Sequence, residues 1–155
     1  MIRVAFGWLV AVVVCIVIGA AALSYFDQQG WLAAAGEAGS LSVAERAAWF
    51  GRTLYGLVFI NGTGLGFGLY PVLVAIALLI GLAVAAIFVR WTPGLRFWWY
   101  AGAGAVAMVT IFFALEAALG MMVVPGARTM AGIAAQGAAG LIAGAVFAVM
   151  SARRA

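Results

Sequence analysis

The sequence predicts an all-α integral membrane protein: a four-transmembrane-helix bundle with a short interfacial helix in the long outer loop between the first and second spans. Three observations carry this expectation. First, 68% of the 155 residues are hydrophobic and only 8% charged, whereas a soluble domain carries about 25% charged residues. Second, four continuous apolar stretches occupy residues 4–26, 69–89, 97–122 and 129–150. Each reaches the roughly 20 residues that a helix needs to cross a ~30 Å hydrocarbon core. Third, none of the four has an interior proline. Pro71 falls in a first turn, where its missing N–H costs nothing, while Pro93-Gly94 and Pro125-Gly126 punctuate the short connections. Because the runs are continuous rather than alternating, they argue against a β-barrel. Residues 1–155 thus form a single membrane domain, with an outer segment at 27–68.

The first stretch has a competing reading as a signal peptide, since Arg3 precedes an apolar run that reaches Ala20-Ala21-Ala22. Its apolar length exceeds the ~7–15 residues usual for such a region. Its small residues Gly7, Ala11, Cys15 and Gly19 also recur every four positions, as a packed helix face requires. A retained span is the better expectation.

Orientation follows from the arginines, which are the only basic residues. With the N-terminus inside, Arg3, Arg90, Arg96, Arg153 and Arg154 lie on the cytoplasmic side, and Arg46, Arg52 and Arg128 lie outside. Positive charge in short loops favours the cytoplasm, so both termini are expected there. The aromatics form two matching belts. Trp8, Trp91, Trp98, Trp99 and Tyr100 mark the inner interface, and Tyr25, Trp31, Trp49, Tyr55 and Tyr70 the outer one. That placement accounts for every tryptophan without a ligand.

In the outer segment, Ser42-Val43-Ala44-Glu45 fits a capping box, in which a serine accepts from the third helical amide and a glutamate reaches back. Val43, Ala47, Phe50 and Leu54 then line one face of a short helix lying in the headgroup plane. The run Asn61-Gly62-Thr63-Gly64-Leu65-Gly66-Phe67-Gly68 must break this helix from the second span. Gly62, Gly64, Gly66 and Gly68 therefore form an outer hinge or re-entrant bend, glycine lowering helix propensity by about 1 kcal/mol per position. A phosphate loop would need a lysine and a preceding strand, and has neither. Asn61-Gly62-Thr63 matches a glycosylation acceptor, but a chain rich in alanine, glycine and arginine and without lysine looks bacterial.

Small residues at four-residue spacing recur as Ala77, Gly81 and Ala85 in the second span. In the fourth they recur as Gly132, Gly140, Gly144 and Ala148, with Gln136 in register among them. This helix-packing face serves either the bundle itself or another protein. Glu116 is the only acid well inside a span. A carboxylate in lipid marks a function by default, although Glu116 lies near the outer end and a structural role competes. Counting from Gly126, Glu116 lies ten residues back and Gln136 ten forward. A symmetric hairpin would put them at one depth, as an intramembrane polar pair.

These residues also bound the function. Nucleic acid is excluded because no basic stripe exists to meet a phosphate backbone. With no histidine, the commonest ligand of haem, zinc and copper is missing, so no cofactor and no metal site are expected. Cys15 sits in apolar surroundings and reads as a packing residue. Neither a paired nucleophile and base nor an acidic pair suggests catalysis. The expectation is a non-catalytic membrane subunit or interaction protein of a bacterial inner membrane, in contact with the lipid bilayer and with a membrane-protein partner or a second copy. The alternative is a small oligomeric transporter or channel coupled through Glu116.

Overall fold

The computed structural model describes residues 2–35, 41–60, 68–119 and 129–152, and these are almost wholly helical. The helices are α1 (Ile2–Ala35), α2 (Val43–Tyr55), α3 (Leu69–Trp91), α4 (Arg96–Leu119) and α5 (Met130–Met150). A π-helical turn, Gly56–Ile60, extends α2, and a 3-10 turn, Pro93–Leu95, precedes α4. By length and composition α1, α3, α4 and α5 are each apolar enough to cross a membrane.

The helix ends have local causes. Thr129 caps α5 by accepting from the Gly132 amide at 3.0 Å, which satisfies one of the orphan donors of a first turn. At the other boundary, Thr92 donates to the Phe88 carbonyl at 3.1 Å and accepts from the Trp99 indole at 2.6 Å. Phe88 and Trp99 stack with centroids 4.8 Å apart, so the α3–α4 corner is fixed by one hydroxyl and two rings.

Helix α5 is the central element, packed against both α1 and α4, while α3 packs mainly on α4. Both described ends of the chain lie together: Gly7 faces Phe147 and Met150, and Arg96 donates to the Ser151 hydroxyl at 2.7 Å. This is called the termini end below, and the opposite end is called distal. The four residues Gly7, Ala11, Cys15 and Gly19 are all buried, so the spacing read from the sequence is the packed face of α1.

With 34 residues, α1 is about 51 Å long and projects past the start of α5 at the distal end. Helix α2 packs on that projection. Trp49 donates from its indole to Asp27 at 3.2 Å, and its ring lies 5.8 Å from that of Trp31. The capping box is present in full, Ser42 accepting from the Glu45 amide and Glu45 from the Ser42 amide. These contacts with Ser42 hold the Glu45 carboxyl below its ordinary value. The covered face of α2 is rotated from the expected one, however. Arg46, Trp49, Phe50, Thr53 and Leu54 are partly buried, while Val43 and Ala47 are exposed. The indole bond to Asp27 and the Trp31 contact set that rotation, not the aliphatic pattern alone.

Two further corrections concern the aromatic belts. Tyr70 and Tyr100 are buried within the bundle, at 4% and 8% exposure, rather than held at a surface. Tyr100 packs edge-on against Phe147 at 5.0 Å, and Tyr70 has a hydrogen-bond partner in the core.

Candidate functional site

Among the described residues Gln136 is the most deeply placed polar side chain, with no exposure at all. Its Oε1 accepts from the Tyr70 hydroxyl at 2.9 Å, and its Nε2 donates to the Gly19 carbonyl at 2.9 Å. One amide thereby ties α5 to α3 and to α1. Gly19 makes this geometry accessible, because a Cβ there would collide with the Tyr70 hydroxyl and the amide oxygen. An unpaired amide or hydroxyl at such a position would carry the full cost of desolvation.

The expected partner of Gln136 was Glu116, and the register between α4 and α5 explains why they do not meet. Gly104 lies against Gly140 and Tyr100 against Gly144, so the α4 residue level with Gln136 is Met108. Glu116 is eight positions further along, about 12 Å by helical rise. It therefore sits past the first turn of α5, and its side chain is exposed. The symmetric count from Gly126 failed because α4 outruns α5 at the distal end.

The fourth-span small residues divide between tasks. Gly140 and Gly144 face α4 so closely that a Cβ at either would strike backbone carbonyl oxygen, that of Gly104 or of Tyr100. Gly137, in the same helix, meets the Val109 side chain of α4. Gly132 is buried in the first turn and donates to Thr129, and Ala148 is buried near the termini end. Of the two uses allowed for this face, Gly140 and Gly144 serve the bundle itself. The matching residue on α4, Gly104, was missed from the sequence. Its signal lies in Tyr100, Gly104 and Met108, three buried residues four positions apart. Tyr70 was missed too, although it shares the face of Val74, Ala77 and Leu78.

Among the described residues, two clefts on the bundle surface stand out. One, of about 690 Å³, runs between α3 and α4 and is lined by small residues such as Ala77, Gly81, Ala103 and Ala107, flanked by Phe88 and Trp98. The other, of about 1310 Å³, separates α1 from α3 at the termini end. Its walls are apolar, and Arg90 and Arg96 are among its lining residues. Arg96 also lies 5.6 Å from the Tyr100 ring centroid. So α1 and α3 are joined distally through Gln136 and parted near the termini.

Gly62, Gly64 and Gly66 of the expected hinge lie outside the described residues, as does Pro125-Gly126 of the expected hairpin turn. Gly68 is described: its amide donates to the Val58 carbonyl, and a Cβ there would strike the Leu57 backbone. Gly68 at the start of α3 therefore lies against Leu57 and Val58 of the π-helical turn. Among the described residues, no three of cysteine, aspartate and glutamate gather where they could hold a metal ion. Comparison with known proteins returns no matching family model, no matching curated protein and no matching solved structure.

Proposed function

We propose that the protein is a non-catalytic integral membrane subunit, an interaction or assembly protein of the bacterial inner membrane, with four spans and both termini cytoplasmic. The observation that carries this reading is the distribution of buried polar groups. Ser24, Gln28 and Gln136 are the buried polar residues of the described core, and all three belong to the distal half. Gln28 donates to Ser24 at 3.0 Å, and Gln136 is satisfied by Tyr70 and Gly19. A pathway for ions or substrates needs polar groups spread across the membrane. Here these three lie toward one end, each with a hydrogen-bond partner, and the termini end adds only the buried Trp8 indole among the described residues.

Glu116 fits the same reading. It lies 20 positions beyond Arg96 on α4, about 30 Å by helical rise, which is close to the full thickness of a hydrocarbon core. That spacing supports a carboxyl at the outer headgroup level rather than mid-membrane. The distal projection of α1 and helix α2 would lie at the same surface, with Trp31 and Trp49 as anchors. Retention of α1 is supported by what it supplies to the core, namely Ala11, Cys15, Ala20 and the Gly19 carbonyl.

A partner's span fits the α3–α4 groove, where small residues let another backbone approach, which drives association in lipid more than apolarity does. Purification in a mild detergent tests the proposal. A larger membrane protein recovered in fixed stoichiometry supports it. A lone oligomer that carries a proton-linked flux in liposomes, lost in Glu116→Gln, would replace it with the transporter reading.

A further inference from the structure

The cleft between α1 and α3 combines features that a lipid-facing groove does not need. It is the larger of the two, about 1310 Å³, beyond the roughly 300–1,000 Å³ usual for a small-molecule site. Leu79, Leu82, Ala86 and Val89 of α3 face Val4 and Trp8 of α1 across it. These surfaces offer nothing for water to bond to, so an apolar chain is the occupant they favour. At the termini end the lining changes character. Arg90 and Arg96 are there, and none of the lining residues is acidic. Arg96 spends one donor on Ser151 out of the five a guanidinium offers. Trp8 keeps its indole N–H buried without an acceptor among the described residues. The site is therefore rich in donors above an apolar chamber, with no anionic side chain among the described residues that line it. By contrast, the α3–α4 groove has no charged residue in its lining.

We propose that this cleft binds one anionic phospholipid, its phosphate held by Arg90 and Arg96 and an acyl chain lying between α1 and α3. Guanidinium groups match phosphate oxygens in a planar, two-point fashion that an ammonium does not. Basic pockets between spans on the cytoplasmic side are where anionic headgroups concentrate. An ester carbonyl entering beside Trp8 would give the indole the acceptor it lacks. The bound lipid fills the gap between α1 and α3 at the termini end, and so acts as a structural component of the bundle. This rests on the reading that the chain spans a bilayer.

Native mass spectrometry of the full chain in neutral detergent tests it, with phosphatidylglycerol and phosphatidylcholine of identical acyl chains titrated in parallel. The expected result is a one-to-one adduct with phosphatidylglycerol, formed at roughly thirtyfold lower concentration than with phosphatidylcholine, as two arginines near a headgroup imply. Arg90→Gln with Arg96→Gln should abolish the preference, whereas Arg46→Gln with Arg52→Gln, at the distal end, should leave it intact. Ala86→Trp, which fills the chamber without touching a charge, should weaken both lipids. Helicity and monodispersity of each variant show that it has folded, and Arg90→Lys with Arg96→Lys provides a charge-retaining version that should keep part of the preference. Equal retention of the two lipids, an unchanged preference in the glutamine variant, or displacement of phosphatidylglycerol by millimolar inorganic phosphate would each overturn the proposal, the last by showing a free-anion site. None of these outcomes touches the spanning reading, which sidedness labelling addresses separately.

Discussion

Tyr70 donates its hydroxyl hydrogen to Gln136 Oε1 at 2.9 Å, across 66 positions of sequence. The bond closes the distal end of the bundle, because Tyr70 comes from the first turn of α3 and Gln136 from the second turn of α5, while the same amide reaches Gly19 of α1. Polar contacts between spans average about 0.6 kcal/mol, with a maximum near 1.7. The cluster thus fixes register more than it adds stability.

A double-mutant cycle with Tyr70→Phe and Gln136→Leu should therefore show a coupling energy of roughly 0.6 kcal/mol or more, measured by reversible unfolding in detergent. Glu116→Gln and Gln136→Leu should be additive, since those residues lie about 12 Å apart along the bundle. Additivity in the first cycle, or coupling in the second, would restore the symmetric hairpin.

The contact between α4 and α5 allows a sharper test. Gly140→Leu should cost at least the 1–3 kcal/mol typical of overpacking, because the obstruction is the Gly104 backbone rather than a side chain that can turn away. Gly102→Leu on α4 should be nearly neutral, since that position is exposed with open space around its Cα. Thermal unfolding followed by circular dichroism distinguishes them. Equal midpoints for the two variants would mean that the helices do not approach through these glycines.

Much of this was legible in the sequence, and the exceptions share a cause. Span positions follow from apolar run length, and the packed faces of α1 and α5 follow from four-residue spacing, because both depend on local order along one helix. The Ser42–Glu45 capping box is equally local. By contrast, the partner of Gln136 depends on how far α4 outruns α5, which residues 97–150 do not encode in their periodicity. The rotation of α2 turns on Asp27, which is 22 positions from Trp49. Tyr70 looked like a belt residue because an aromatic at a span end is compatible with either a headgroup or a core. Only the acceptor on α5 decides between them.

Acid should loosen α2 in a predictable direction. The Glu45 carboxyl is held below its ordinary value by the Ser42 amide and hydroxyl, so its contribution is fully present above the ordinary carboxylate range. That contribution is lost as pH falls through the lowered folded value. Hydrogen exchange across residues 43–55, corrected for intrinsic rates, should show increased fraying on acidification. Glu45→Gln keeps the reciprocal bond without a charge and should remove the pH dependence. Ser42→Ala should weaken the helix at every pH, by about 1 kcal/mol. A pH response that persists in Glu45→Gln would assign it to another group.

The central claim is that four spans carry the chain across a bilayer, with both termini on one side and α2 on the other. Single cysteines at Ala152 and Ala44, both exposed, in a Cys15→Ala background, test this directly with a membrane-impermeant thiol reagent on inverted and right-side-out vesicles. The account predicts labelling of Ala152→Cys only in inverted vesicles and of Ala44→Cys only in right-side-out ones. Labelling of both positions from the same side would contradict it.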